Sequence, residues 1–176
     1  DGSPRATIAL AGYGIRRHFP MWPCVAAAEC YLGTPRPEFT HDVIFVGSAR
    51  PYGHATEWPF RDQLVTALAN RYGPDGFGHY GPGGLRTVRN GIDGDPSALN
   101  DLYASARVVA GDCIARPGYV SDRLTETLGR GGLLVFPRSD AVDQLGYRPG
   151  HHYVGYTPGN LDSALPAIDR ALAFTA

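Results

Sequence analysis

No stretch of this 176-residue sequence approaches the ~20 consecutive apolar residues that a membrane-spanning helix needs, and no signal-peptide pattern is present. Excess charge of either sign is also missing. Sixteen basic residues against seventeen acidic ones leave a net charge of -1 and a pI near 6.6. That balance provides no electrostatic footprint for generic nucleic-acid binding, although a local basic groove stays compatible with it. Cysteine is scarce: Cys24, Cys30 and Cys113 are odd in number and lack metal-ligand spacing, which argues against a disulfide framework and for reduced, partly buried thiols in a cytoplasmic protein. Among the six histidines only His151 and His152 adjoin, and neighbours on a strand point to opposite faces, so they chelate poorly and no metal is expected. The 23 glycines and 15 prolines follow no period, which rules out collagen-like and repeat architectures.

What is present is the composition of a globular chain. Hydrophobic residues make up 43% and charged residues 19%, enough for one domain with a proper core. Residues 1–40 lack clear periodicity: Ile8–Leu10 reads as a short strand, AAAECYL as one or two helical turns, and TPRPEFT as a proline-rich connector. They are assigned as a linker or packing arm, the remnant of a preceding domain. Asp1 in place of Met, followed by Gly2-Ser3, reads as the mark of a piece cut from something longer.

From His41 onward the pattern is regular. HDVIFVGS is a short apolar run ending in Gly-Ser, the form of a buried strand entering a tight turn. Residues 56–72 predict a helix with Phe60, Leu64, Leu68 and Tyr72 on one face, Pro59 near its start and Gly73 as its stop. FGHYG and LRTVRNG read as strands. DPSALNDLYASA reads as a helix capped by Asp95 or Ser97 that buries Leu99, Leu102, Tyr103 and Ala106. RVVAG is a strand, a helix starts behind Ser121, and GLLVFP and HHYVGYT are further strands. The last helix carries Leu161, Leu165, Ile168 and Leu172 on one side, and Pro166 implies a start near Asp162 or a kink.

Strands alternating with helices predict a single α/β, Rossmann-like domain over residues 41–176, a mostly parallel sheet with helices on both faces. In such sheets ligands bind beyond the carboxyl ends of the strands, where strand order reverses. Those ends are the loops after Ser48, Tyr80, Gly111 and Pro137.

Two stretches at these ends could carry chemistry. In VGSARPYGH, Gly47 and Ser48 let phosphates approach backbone N–H groups and Arg50 adds charge, although the stretch is neither a Walker loop nor GxGxxG. In GYVSDRLTETLGRGG, Ser121 is a good N-cap and Asp122 agrees with the helix dipole, but Arg123 sits at the end that disfavours a cation. Two readings follow. Arg123 pairs with Glu126 at i,i+3, stabilising by ~0.2–0.5 kcal/mol. Or the helix N–H groups, Ser121 and the guanidinium form a diphosphate site, with Glu126 one turn deeper accepting hydrogen bonds from a ribose.

A resemblance bears on that choice. Leu102-Tyr103-Ala104-Ser105-Ala106, then Ser121-Asp122-Arg123-Leu124-Thr125-Glu126, then Gly129-Arg130-Gly131-Gly132 resemble, in order, the carboxyl-terminal half of GT-B glycosyltransferases of the spore-maturation-protein-like group. HDVIFVGS with Arg50 just beyond is similar to that family's opening strand, and the likeness runs over residues 41–174.

The resemblance implies a domain that binds a UDP- or GDP-sugar without a metal or other cofactor. Ser121 and Arg123 would meet the diphosphate, Glu126 the ribose, Gly47, Ser48 and Arg50 the phosphate side of the cleft, and Tyr119 a base or sugar contact. It also implies an amino-terminal GT-B half or partner subunit, where the acceptor site and any general base usually lie. The acceptor is unidentified, and a nucleic-acid acceptor stays open. One departure matters: many retaining members carry a glutamate where this chain has Gly118, so that mechanism has no support here. Asp42, Asp112 and Asp140 lie near strand ends with nothing to mark one as a base. A noncatalytic nucleotide- or phosphate-binding module of a larger assembly is the rival reading. A flavodoxin-like or epimerase-like domain would need an acidic cluster or catalytic pair.

Overall fold

The computed structural model describes residues 24–48, 59–81, 97–114 and 118–175. Five strands form one all-parallel sheet: β1 (His41–Val46), β2 (Phe77–Tyr80), β3 (Ala106–Ala110), β4 (Leu134–Pro137) and β5 (Val154–Tyr156). Their order across the sheet is β2-β1-β3-β4-β5. The helices are α1 (Phe60–Gly76), α2 (Ala98–Ser105), α3 (Asp122–Gly129), α4 (Asp140–Gln144) and α5 (Leu161–Phe174). The expected Rossmann-like α/β architecture is the one observed, with helices on both faces of the sheet.

Alternation along the strands splits the core into two layers. Val43 and Phe45 of β1, with Val108 and Ala110 of β3, face Phe60, Leu64 and Leu68 of α1 and Ala164, Ala167, Ile168 and Ala171 of α5. Ile44 and Val109 point the other way, onto Leu102 and Tyr103 of α2, Leu124 of α3 and Val142 of α4. Strands buried on both faces are near-continuous apolar runs, which is why HDVIFV and LLVF stood out.

Several local expectations need correction. The helical run of α1 extends to Gly76 but breaks at Gly73, whose φ of 66° and ψ of -178° leave the helical region, so that glycine does stop the main helix. In α2, Leu102 and Tyr103 are buried while Leu99 and Ala106 are half-buried, because Ala106 already belongs to β3. Ser97 caps that helix without a side-chain hydrogen bond. On α5 the buried face is Ala164, Ala167, Ile168 and Ala171; Leu161, Leu165 and Leu172 flank it half-buried, since small residues let the helix approach the sheet closely. The helix begins at Leu161 behind an Asn160 cap and runs through an exposed Pro166. His151 and His152 lie in the turn before β5, both exposed, rather than on a strand. Helix α4, capped by Ser139, was not foreseen. Cys24 and Cys30 are exposed, and only Cys113 is buried. Ile8–Leu10, Asp95 and LRTVRNG lie outside the described residues.

Residues 24–40 contain two 3₁₀ turns, Ala27–Glu29 and Pro37–Phe39, and lie across α2 and the end of α3. Buried Arg130 reaches the Glu29 carboxylate at 2.5 Å and Asn100 Oδ1 at 2.6 Å, while Asn100 Nδ2 donates to the carbonyls of Glu29 (2.9 Å) and Tyr31 (2.7 Å). Asp101 accepts from Thr34 N at 2.7 Å and pairs with Arg36. Gly33 fits against the backbone of Asn100 and Asp101 where any Cβ would overlap.

Candidate functional site

Strand order reverses between β1 and β3: the chain leaves β1 for β2 on one side and returns to β3 on the other. In open parallel sheets a cleft forms there, beyond the carboxyl ends of the two strands. The residues after those ends are Gly47 and Ser48 on one side and Gly111 and Asp112 on the other.

Asp112 organises the cleft. Its fully buried carboxylate accepts from Arg61 Nε through Oδ2 and from Arg123 Nη1 through Oδ1, both at 2.9 Å. Arg61 stands in the first turn of α1 and Arg123 in the first turn of α3, so two crossover helices deliver their cations to one carboxylate. Arg123 also donates from Nε to Val46 O and from Nη1 to Asp112 O, each at 2.8 Å. Arg61 Nη1 reaches Ser48 O at 3.5 Å and Ser48 Oγ at 3.4 Å. Both guanidiniums lie over the Phe45 ring, with Cζ to centroid distances of 4.8 Å for Arg123 and 5.8 Å for Arg61. Two guanidiniums to one carboxylate leave one positive charge in excess, and the Nη2 groups of both arginines make no hydrogen bond among the described residues.

This geometry resolves the misplaced cation. Arg123 does not pair with Glu126; it turns back past the helix N-terminus to Asp112. The i,i+3 pair read from the spacing is therefore corrected, because the Asp112 carboxylate just beyond the end of β3 is buried and held in reach of two cations. Gly47 is needed for the arrangement. Its φ is 148°, and a Cβ there would run into Arg123 Nη2.

The other predicted residues divide. Ser121 Oγ accepts from Arg123 N at 3.4 Å, so its hydroxyl caps α3 as expected. Glu126 is half-buried, one turn further along α3, and its carboxylate makes no hydrogen bond among the described residues. Burial raises the Glu126 carboxyl above the usual carboxylate range, Asp122 and Glu29 add to that, and Arg130 opposes it. Tyr119 is 39% exposed in the loop leading to α3, its phenol raised mainly by burial. Arg50 lies outside the described residues. Arg61 and His79 escaped the sequence reading altogether, and Asp112 was noticed there without a role.

His79 of β2 is buried, and its Nε2 lies 3.0 Å from Gly47 O. A carbonyl only accepts, so Nε2 carries the proton and holds the Gly47 turn in place. Burial lowers the imidazole pKa, the two guanidiniums lower it further, and the Gly47 hydrogen bond opposes them. A histidine held neutral by the fold contributes its full stability above its unfolded pKa, ~6.5, and loses it as pH falls toward the depressed folded value. The melting temperature should therefore fall between pH 7 and pH 5 more steeply in wild type than in His79→Gln; parallel curves would refute this role.

Burial pushes the Cys113 thiol up to about 11, so it is a poor nucleophile at neutral pH. Among the described residues no three His, Cys, Asp or Glu side chains converge as metal ligands, and no helix is long and apolar enough to cross a membrane. The chemistry available is anion recognition: guanidinium N–H groups unsatisfied among the described residues beside a helix N-terminus, and a carboxylate lacking donors one turn deeper. No family model matches this sequence and no curated protein matches it, so its functional reading stands on this cleft.

Proposed function

We propose that the domain binds a nucleoside-diphosphate sugar, such as a UDP- or GDP-sugar, as the donor half of a GT-B-type glycosyltransferase. The observation that carries the reading is the pair of half-buried arginines converging on the buried Asp112 at the β1/β3 switch point, with the N-terminus of α3 beside them. In this reading Arg61, Arg123, Gly47 and Ser48 meet the diphosphate, and Glu126 accepts from the ribose hydroxyls. The bond from the anomeric carbon to the diphosphate oxygen breaks as an acceptor oxygen or nitrogen attacks. Fixed positive groups then stabilise the charge left on the departing diphosphate. The acceptor and its base belong to an amino-terminal half or a partner subunit. Ordered motifs similar to those of that family, from Leu102 to Gly132, support the same reading.

A noncatalytic phosphate-binding module is the second reading. It is favoured by the strand order, because β2-β1-β3-β4-β5 is also the order of flavodoxin-like domains, which bind a phosphorylated cofactor at the same switch point. A thermal-shift screen with UDP, GDP, ADP, their sugars and FMN separates the two. A ligand at a hundred times its dissociation constant should stabilise the fold by ~2.7 kcal/mol. Stabilisation by a nucleotide sugar supports the donor domain, stabilisation by FMN alone supports the module, and no response to any of them overturns both.

A further inference from the structure

A second cavity, of about 390 Å³, opens at β5, which is the last strand of the sheet among the described residues. It is separated from the switch-point cleft by β4, and its lining differs in kind. Arg138, Arg170, His151 and His152 line it together with Tyr153 and Phe174, and no carboxylate does. Neither Arg138 nor Arg170 has a hydrogen-bonded or ion-paired side chain among the described residues. Two other surface arginines are paired, Arg71 with Asp169 and Arg107 with Asp42.

Two further donors belong to residues of this lining. His152 Nδ1 accepts from Arg148 N at 2.9 Å, which leaves the proton of a neutral ring on Nε2 as a donor. Tyr153 is 3% exposed, yet its hydroxyl has no hydrogen-bond partner among the described residues. Buried polar atoms are ordinarily satisfied, so an orphaned hydroxyl on a residue that lines a cavity points to a group that is supplied from outside. Cations on an edge strand can serve only to deter edge-to-edge pairing. That role asks for no shared concavity, whereas two guanidiniums and two imidazoles line one here together with the buried Tyr153. Phe174, 77% exposed, adds an apolar side to the same cavity.

We infer that the cavity at β5 is a second anion site, built for a small multivalent oxyanion carried on a short organic body, a phosphate ester or a polycarboxylate. Its volume suits a small organic molecule, at the low end of ordinary ligand pockets. The site is independent of the cleft between β1 and β3, and stands or falls separately from the nucleotide-sugar reading.

The histidines supply local reporters for a test. Glycerol 3-phosphate and citrate would each be titrated into the whole chain while the ring resonances of His151, His152 and His79 are followed by NMR. Saturable movement of His151 and His152, with His79 unmoved, is expected for at least one compound, and the tighter of the two names the oxyanion class. The Arg138→Gln/Arg170→Gln double variant should weaken that response at least tenfold. Both arginines are exposed, so the variant should melt as the wild type does without ligand. No saturable movement with either compound, movement of His79 instead, or an unchanged response in the double variant would overturn the site.

Discussion

Asp112→Ala is expected to cost the domain about 3–5 kcal/mol, because removing one partner of a buried ion pair leaves the other charge uncompensated, and here it leaves two. The flanking arginine side chains are only 11% and 10% exposed and that of Asp112 is fully buried, so solvent screening offers little relief. Without Asp112, Arg61 and Arg123 face each other as like charges over the Phe45 ring. A second substitution should recover part of the loss: Asp112→Ala with Arg61→Met removes one of the stranded cations. Urea unfolding of the two single variants and the double variant measures the coupling. A loss below 1 kcal/mol for Asp112→Ala would mean that the carboxylate does not organise the cleft.

Arg123→Met has the second large effect, and it bears on function as well as stability. The methionine keeps apolar bulk over Phe45 but removes the donors to Val46 O and to both oxygens of Asp112 that Arg123 contacts. Stability should fall by about 3 kcal/mol, the cost of stranding buried acceptors beside a half-neutralised carboxylate. Affinity for a nucleoside diphosphate, measured by calorimetry at a temperature where the variant is folded, should fall at least a hundredfold, roughly 2.7 kcal/mol. Arg123→Lys keeps a charge but not the planar fork, and should fall between the two. Wild-type affinity in Arg123→Met would sink the donor-binding reading while leaving the stability prediction standing.

The contrast between Arg123 and Arg61 shows what the sequence could and could not disclose. Arg123 was conspicuous because local physics objects to a cation at a helix N-terminus. Arg61 raised no such flag, because a helix starting at residue 56 places it beyond the first turn, whereas the structure starts that helix at Phe60. Arg61 sits in a helix amid ordinary polar residues, and every one of the sixteen basic residues of this chain is an arginine, so its type carried no signal. Its partner Asp112 lies far along the chain, and only the reversal of strand order brings α1, β3 and α3 to one point. His79 escaped for the same reason: its place beside Gly47 is a matter of register between β1 and β2.

The sheet itself was legible because strands buried on both faces are uniform apolar runs that end in glycine, as HDVIFVGS does. Helix α4 was not, since its five residues are too few for a period to develop. The stripe of α5 was legible in part: Leu161, Leu165, Ile168 and Leu172 do pack on the core, but leucine spacing says nothing of Ala164, Ala167 and Ala171, which the close approach to the sheet selects. The histidine turn has no mark of its own in the sequence, because HHYVGYT continues into β5 without a breaker between Gly150 and the strand.

The all-parallel pairing has a kinetic consequence. None of the described strands can zip onto its neighbour through a tight hairpin, since each must wait for a crossover to form. Even the shortest-range pairing in the register, Val135 with Val154, closes a loop that contains the whole of α4. β1 is more demanding still: it stays open on both edges until β2 and then β3 arrive. Loop-closure entropy must be met before those contacts reward it, which makes such sheets slow to fold. During that interval HDVIFV is an unpaired apolar edge, the segment most exposed to self-association while the chain is new.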